Sequence, residues 1–175
     1  LQEVALPAEL PDEPWVQVGA HYRPARKDAP IGGDWYDAFP LDDDRICVLI
    51  ADVSGHGPEA ASFMVQVRNI TRSVIAEVVD PGRALARVNR VLFQLGQSGG
   101  PFVTVCLGVI DRAERRFTWA VAGHPPPIHT RGGRSSALVA PVGTPVAVFR
   151  AGDWTSASID LEPGDLITLC TDGLI

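Results

Sequence analysis

Two short acidic segments hold most of the chemistry this sequence offers: Gly32-Gly33-Asp34-Trp35-Tyr36-Asp37 and Ala51-Asp52-Val53-Ser54-Gly55-His56-Gly57. Each sets aspartates on a glycine-rich turn beside an apolar strand. The second follows Ile46-Cys47-Val48-Leu49-Ile50, a continuous apolar run that predicts a buried strand with Asp52 emerging at its carboxyl end. Asp172, in Leu169-Cys170-Thr171-Asp172-Gly173, repeats the arrangement after Leu166-Ile167-Thr168-Leu169. Strand-end carboxylates at Asp34, Asp52 and Asp172 predict a shared cation. Carboxylate, carbonyl and water ligands select Mg²⁺ or Mn²⁺ over zinc, and no Cys/His ligand cluster competes in the sequence.

Other residues offer chemistry with less support from their surroundings. Asp37 lies three residues past Asp34 and fits either an acid that supports the ligands from outside the coordination sphere or an exposed loop acid. His56 sits on the glycine turn, where it could act as a general acid, although loop histidines are ordinary there too. His124 precedes Pro125-Pro126-Pro127, which fixes an extended exit from a strand; the segment reads as architectural, with its histidine available to line a cleft. Asp42-Asp43-Asp44 is most simply a solvated hairpin turn. Cys106 and Arg112 have the Cys-x5-Arg spacing of thiol-dependent phosphatases, but the residues between them read as strand and supply no loop of N–H groups for phosphate. Cys47, Cys106 and Cys170 each lie in an apolar run, which predicts buried reduced thiols.

The elements that must position these groups can be read along the chain. Residues 1–14 are proline-rich and end a linker, residues 15–22 alternate as a half-buried strand, and residues 23–31 form a polar loop leading into Gly32-Gly33-Asp34. Residues 39–41 and 45–51 make a hairpin around the aspartate triplet. Pro58 stands where a first helical residue belongs, and Ala61, Met64, Val65, Arg68, Thr71, Ile75 and Val78 follow at helical spacing. Asp80-Pro81 caps a second helix that carries Leu85, Val88, Leu92 and Leu95 and ends at Gly96. The remainder is strand-rich, over residues 102–110, 117–122, 128–130, 137–140, 155–161 and 166–171. Strands grouped apart from helices mean α+β rather than alternating βαβ units.

Composition bounds the function. A chain of 175 residues, 46% hydrophobic, is long enough for one domain with a real core. A formal charge of −6 with dispersed Arg and Lys argues against a nucleic-acid partner, whose phosphates demand a basic face. No apolar run approaches the roughly 18 residues that span a bilayer, and Leu1-Gln2-Glu3 lacks the basic start and apolar middle of a signal peptide. These features predict a cytoplasmic protein without membrane attachment.

Taken in order, Leu1-Gln2, Gly-Gly-Asp-Trp-Tyr-Asp from Gly32, Asp-Val-Ser-Gly-His-Gly from Asp52, Ala122-Gly123-His124-Pro125-Pro126-Pro127 and Thr171-Asp172-Gly173-Leu174 resemble the SpoIIE/RsbU-type branch of the bacterial metal-dependent type 2C serine/threonine phosphatases. The resemblance covers almost the whole chain. It implies an α-β-β-α sandwich of two antiparallel sheets flanked by helices, over residues 15–175. It also implies hydrolysis of phosphoserine and phosphothreonine by two Mn²⁺ or Mg²⁺ ions and a metal-activated water, without a covalent phosphoenzyme. By the same resemblance, Asp52 bridges the ions, the Val53 backbone carbonyl binds the first, Asp172 binds the second, and Asp34 supports them directly or through water. Asp52 and Asp172 also fit ordinary turn or cap positions. The implied substrate is a phosphorylated anti-anti-sigma factor of the STAS type, within bacterial partner switching. An upstream sensor domain is implied too, with Leu1-Gln2-Glu3-Val4 as the tail of its linker. Family members continue past position 175 and carry a further acidic pair before a final strand. The expectation is therefore a domain whose C-terminal part and fourth acidic ligand are missing, leaving this fragment weak or inactive. The rival expectation is a catalytically silent module that binds the same phosphoprotein without turning it over.

Overall fold

The computed structural model describes residues 6–7, 9–22, 33–97 and 99–172. The linker tail at residues 1–4, the polar loop at 23–31, Gly32, and Gly173-Leu174 lie outside the described residues. A two-residue-strand hairpin, β1 (Asp12–Glu13) and β2 (Val16–Gln17), leads the chain. Next come β3 (Asp34–Pro40), β4 (Arg45–Val53), α1 (Pro58–Val78) and α2 (Pro81–Gln94). The chain continues through β5 (Val103–Asp111), β6 (Arg116–Ala122), β7 (Ile128–Arg131), β8 (Arg134–Ala137), β9 (Val142–Gly143), β10 (Ala157–Asp160) and β11 (Leu166–Thr168).

A six-stranded sheet runs β10-β6-β5-β4-β3, with β9 attached in parallel to β6, and a separate three-stranded sheet runs β11-β7-β8. Alternation along the central strands separates two cores. Cys47, Leu49, Ala51 and Val53 of β4, with Val103, Val105, Leu107 and Val109 of β5, point toward Phe63, Met64, Val67, Leu85, Val88 and Leu92 of the helices. Cys106, Phe117, Trp119 and Val121 point the other way, toward Ile167, Leu169 and Leu138 of the smaller sheet. The described layers are thus helix pair, large sheet and small sheet. The second helical layer of the expected sandwich is not among the described residues.

Both helix starts follow from their local sequence. Asp80 caps α2 by accepting a 2.8 Å bond from the Arg83 N–H, and Pro81 supplies a first residue that needs no donor. Only Val79 and Asp80 separate the helices. Val79 turns the chain at φ 59°, a left-handed conformation unusual for a β-branched residue, while its N–H closes α1 onto the Ile75 carbonyl at 3.0 Å.

Several strand expectations need correction, and the strand expected at 166–171 ends at Thr168. Of residues 15–22 only Val16–Gln17 is strand, because the ladder partner there is the two-residue β1. The strand expected at 137–140 instead occupies Arg134–Ala137 and pairs with β7 across Gly132-Gly133. Both glycines have positive φ, 58° and 75°, the demand of a two-residue hairpin turn. The hairpin expected from residue 39 begins at Asp34, and this change governs the site.

Candidate metal centre

The β3–β4 register sets Asp34 directly opposite Asp52. The hairpin is closed at its far end by the exposed Asp42-Asp43-Asp44 turn, where Asp42 pairs with the Arg45 guanidinium and accepts the Asp44 N–H at 3.1 Å. That arrangement bears out the solvated-turn reading of the triplet. At the near end, side chains at even positions, Asp34, Asp52 and Thr104, fall on the face opposite the helices by strand alternation.

Like charges directly opposite in a sheet repel, and the carboxyl groups show it. Burial, then the charges of Asp34 and Asp172, push Asp52 up to about 6. Burial and the Asp172 charge also raise Asp34, against a hydrogen-bonding contribution from Thr171, whose hydroxyl lies 3.4 Å from Asp34 Oδ2. Asp172 itself is exposed, four residues past the end of β11. The structure therefore brings the three carboxylates expected from sequence into one electrostatic group.

Two features fit this group to a hard cation. Asp34 Oδ1 is buried without a hydrogen-bond partner. A Cβ on Gly33 would lie 2.1 Å from the Val53 carbonyl oxygen and 2.6 Å from Asp52 Oδ1, so only glycine lets the start of β3 pass so close to a main-chain and a carboxylate oxygen. Among the described residues, no three His, Cys, Asp or Glu side chains are gathered tightly enough to hold an ion by themselves. A cation held here would need oxygen donors besides these carboxylates, such as a main-chain carbonyl or water, a donor set that suits Mg²⁺.

The loop after Asp52 is clasped to the lead-in of β5. Ser54 donates its N–H to the Phe102 carbonyl at 2.9 Å, and the Phe102 N–H returns a 2.9 Å bond to Ser54 Oγ. Gly55 and Gly57, at φ 95° and 87°, then turn the chain into α1, leaving His56 exposed at the bend.

Asp37 stands apart from this group. Three residues from Asp34 in a continuous strand, it faces the helices and is 1% exposed, so it is neither on the face of Asp34 and Asp52 nor a loop acid. Arg72 of α1 grips it through Nε at 2.6 Å and a second nitrogen at 2.7 Å, and Arg68 adds a 3.0 Å bond. His124 is buried, with Nδ1 2.9 Å from Thr104 Oγ1. Thr104 pairs across the ladder with Asp52; as a polar residue in an apolar strand it gave little sequence signal. Cys106 is a buried strand thiol pushed up to about 12, mainly by burial, and Arg112 is exposed beyond the strand end. That geometry excludes the thiol-phosphatase arrangement.

A sequence model of the family described as Stage II sporulation protein E (SpoIIE) matches residues 42–175. Phosphoserine phosphatase RsbU of Bacillus subtilis is 28% identical over 175 residues, covering 99% of this chain and 51% of its own length. The solved RsbU and RsbW domains of Rv1364c from Mycobacterium tuberculosis are 36% identical at a TM-score of 0.72, covering 86% of this chain and 42% of that one. RsbX, solved in complex with magnesium, shares the fold at a TM-score of 0.71 and 20% identity, over 88% of this chain and 73% of its own. The chain spans 31–51% of the length of the curated relatives it matches. With most of its length inside the family match, the chain belongs to the SpoIIE family and is similar in sequence to the RsbU-type phosphatases.

Proposed function

We propose that residues 15–175 form a cytoplasmic phosphatase domain that hydrolyses protein phosphoserine and phosphothreonine with two Mn²⁺ or Mg²⁺ ions. The observation that carries this is the facing pair Asp34 and Asp52, both raised by burial and in part by the Asp172 charge, at the point where Gly33 lets the start of β3 pass close to the Val53 carbonyl. Two divalent ions held there would lower the pKa of a bound water and neutralise charge on the phosphoryl oxygens. Asp52 would hold both ions, the Val53 carbonyl and Asp172 one each, and Asp34 would support them directly or through water. The donor set is all oxygen, and RsbX, with the same fold, was solved with magnesium.

The substrate that best fits is a phosphorylated anti-anti-sigma factor of the STAS type. Its support is similarity to phosphoserine phosphatases RsbU and RsbP, and to a protein in which an RsbU domain is joined to an RsbW domain. Relatives about two to three times as long also support a sensor domain in the parent protein. Among the described residues no helix is long and apolar enough to cross a membrane.

The test measures phosphate release from a phosphoserine peptide and a phosphorylated STAS protein with Mn²⁺, Mg²⁺ or EDTA. Release should require the ion, and turnover undiminished by EDTA would sink the two-metal reading. A second reading, phosphoprotein binding without turnover, draws on the looseness of the carboxylate group. It requires peptide binding with no phosphate release in any metal.

A further inference from the structure

We propose that Phe102 is a specificity-determining residue: its ring forms an apolar shelf beside the metal centre that takes an apolar side chain two positions from the phosphoserine of an extended protein substrate. The proposal deepens the phosphatase reading above and rests on it for the chemistry at the ions. Phe102 directly precedes β5, whose odd-numbered residues Val103, Val105, Leu107 and Val109 belong to the core under the helices. Cys106 belongs to the other core, so the even-numbered face of this strand is the face of Thr104, Asp52 and Asp34. The bond from the Ser54 N–H to the Phe102 carbonyl, at 2.9 Å, carries the β4–β5 ladder one rung past the Val53–Val103 pair. Phe102 therefore stands on the carboxylate face, diagonal to Asp52 across the ladder.

Single exposed apolar residues are ordinary on protein surfaces, so the position of this one is what matters. Diagonal neighbours on one face of an antiparallel pair lie about 7–8 Å apart, within reach of an aromatic ring. In an extended peptide, side chains two positions apart point the same way and are separated by about 6.5 Å. A phosphoserine whose phosphate meets the ions at Asp52 therefore sets its second neighbour over Phe102. The ring is 39% exposed, open enough to receive that side chain. On one side of it, the Ser54 hydroxyl is already engaged by the Phe102 N–H at 2.9 Å. On the other, the two bonds between Val103 and Val146 bring alongside the 144–150 loop, which carries the exposed Val148 and Phe149. The shelf thus offers apolar contact rather than hydrogen bonds, and its complement is an aliphatic side chain.

Both bonds to Ser54 use the main chain of Phe102, so Phe102→Ala removes the ring and keeps the clasp. The test measures kcat and KM in Mn²⁺ for two phosphoserine peptides that differ only at the second neighbours of the phosphoserine, both Leu in one and both Ser in the other. Wild type should prefer the Leu peptide by about tenfold in kcat/KM, the scale of one small apolar contact, mostly through KM. Phe102→Ala should bring the Leu peptide down to within about twofold of the Ser peptide, and Phe102→Leu should restore most of the preference. Val139→Ala, at an apolar residue 90% exposed outside the site, should keep the preference whole. Equal rates for the two peptides in wild type overturn the proposal, as does a preference that survives Phe102→Ala or disappears equally in Val139→Ala. A fall of both peptides together with their ratio intact overturns it too, because the ring then only packs the site. Should Phe102→Ala not fold by circular dichroism, Phe102→Gln, long but polar, decides by the same readouts. Wild type that releases phosphate from neither peptide in Mn²⁺ or Mg²⁺ overturns the phosphatase reading, and calorimetric binding of the two peptides then decides the shelf. A preference of about tenfold for Leu that Phe102→Ala removes supports it, and equal affinities overturn it.

Discussion

Asp34 and Asp52 face each other across a ladder with no counter-charge acting on them among the described residues, and each is raised by burial and in part by Asp172. Replacing Asp52 by Asn keeps its size but removes the charge proposed to hold both ions. Phosphate release should fall by a few powers of ten with the circular dichroism of the fold unchanged, whereas Asp42→Asn, at the exposed turn, should be nearly silent. Equal losses at the two positions would show the site misplaced. The same pair sets a pH dependence. Asp52 titrates near 6 in the metal-free fold against an ordinary 3.8, so between those values the folded chain holds a proton that the unfolded chain has released. The resulting stabilisation is complete below about pH 4 and is lost as pH rises through about 6. Metal-free protein should therefore have a lower Tm at pH 7 than at pH 5, Asp52→Asn should flatten that slope, and Mn²⁺ should raise Tm most above pH 6, because ion and proton compete for one carboxylate. Thermal scans with and without EDTA read all three.

At the level of elements, the tie between α1 and β3 is the least expected feature. Asp37 has no exposed side-chain surface and is shared by Arg68 and Arg72, while the Arg72 guanidinium also lies 4.3 Å over the Phe39 ring. Removing one partner of a buried pair strands the other. Asp37→Asn should destabilise by about 2–3 kcal/mol in urea denaturation, below the usual range for such pairs because Arg72 is partly in water, and the EDTA-sensitive activity of the folded fraction should persist. Sequence could not reveal this tie because the Gly-Gly-Asp turn hid where β3 starts. Counting the strand from residue 39 leaves Asp37 in a loop; counting from Asp34 puts it an odd number of steps away, on the opposite face. The helices were legible because Gly57-Pro58 and Asp80-Pro81 are local start signals that need no distant partner. β8 was illegible for the reverse reason: Arg134-Ser135-Ser136-Ala137 has no apolar alternation and is strand only because the Gly132-Gly133 turn folds it onto β7. Asp52 and Asp34 were legible as acids on glycine turns, but their opposition is a property of register. The place of Thr104 opposite Asp52 appears only when β5 is laid beside β4.

For the whole molecule, the large sheet divides one core from another, and the candidate centre sits where its end meets the segment following the small sheet. Packing between the sheets depends on Phe117 stacked on Trp119 at 5.4 Å, over a gap that Gly108 leaves open. A Cβ at Gly108 would lie 2.4 Å from the Phe117 ring. Gly108→Ala should cost about 1–3 kcal/mol by overpacking, read as a lower urea midpoint, and Gly108→Val more. Those two cores enclose Cys47 and Cys106, and Cys170 is buried as well; all three are free. Burial drives Cys47 and Cys106 far from the thiolate form that peroxide attacks, and the proposed nucleophile is water rather than sulfur. If the proposed activity holds, phosphate release should survive peroxide concentrations that inactivate a thiol-dependent phosphatase assayed beside it.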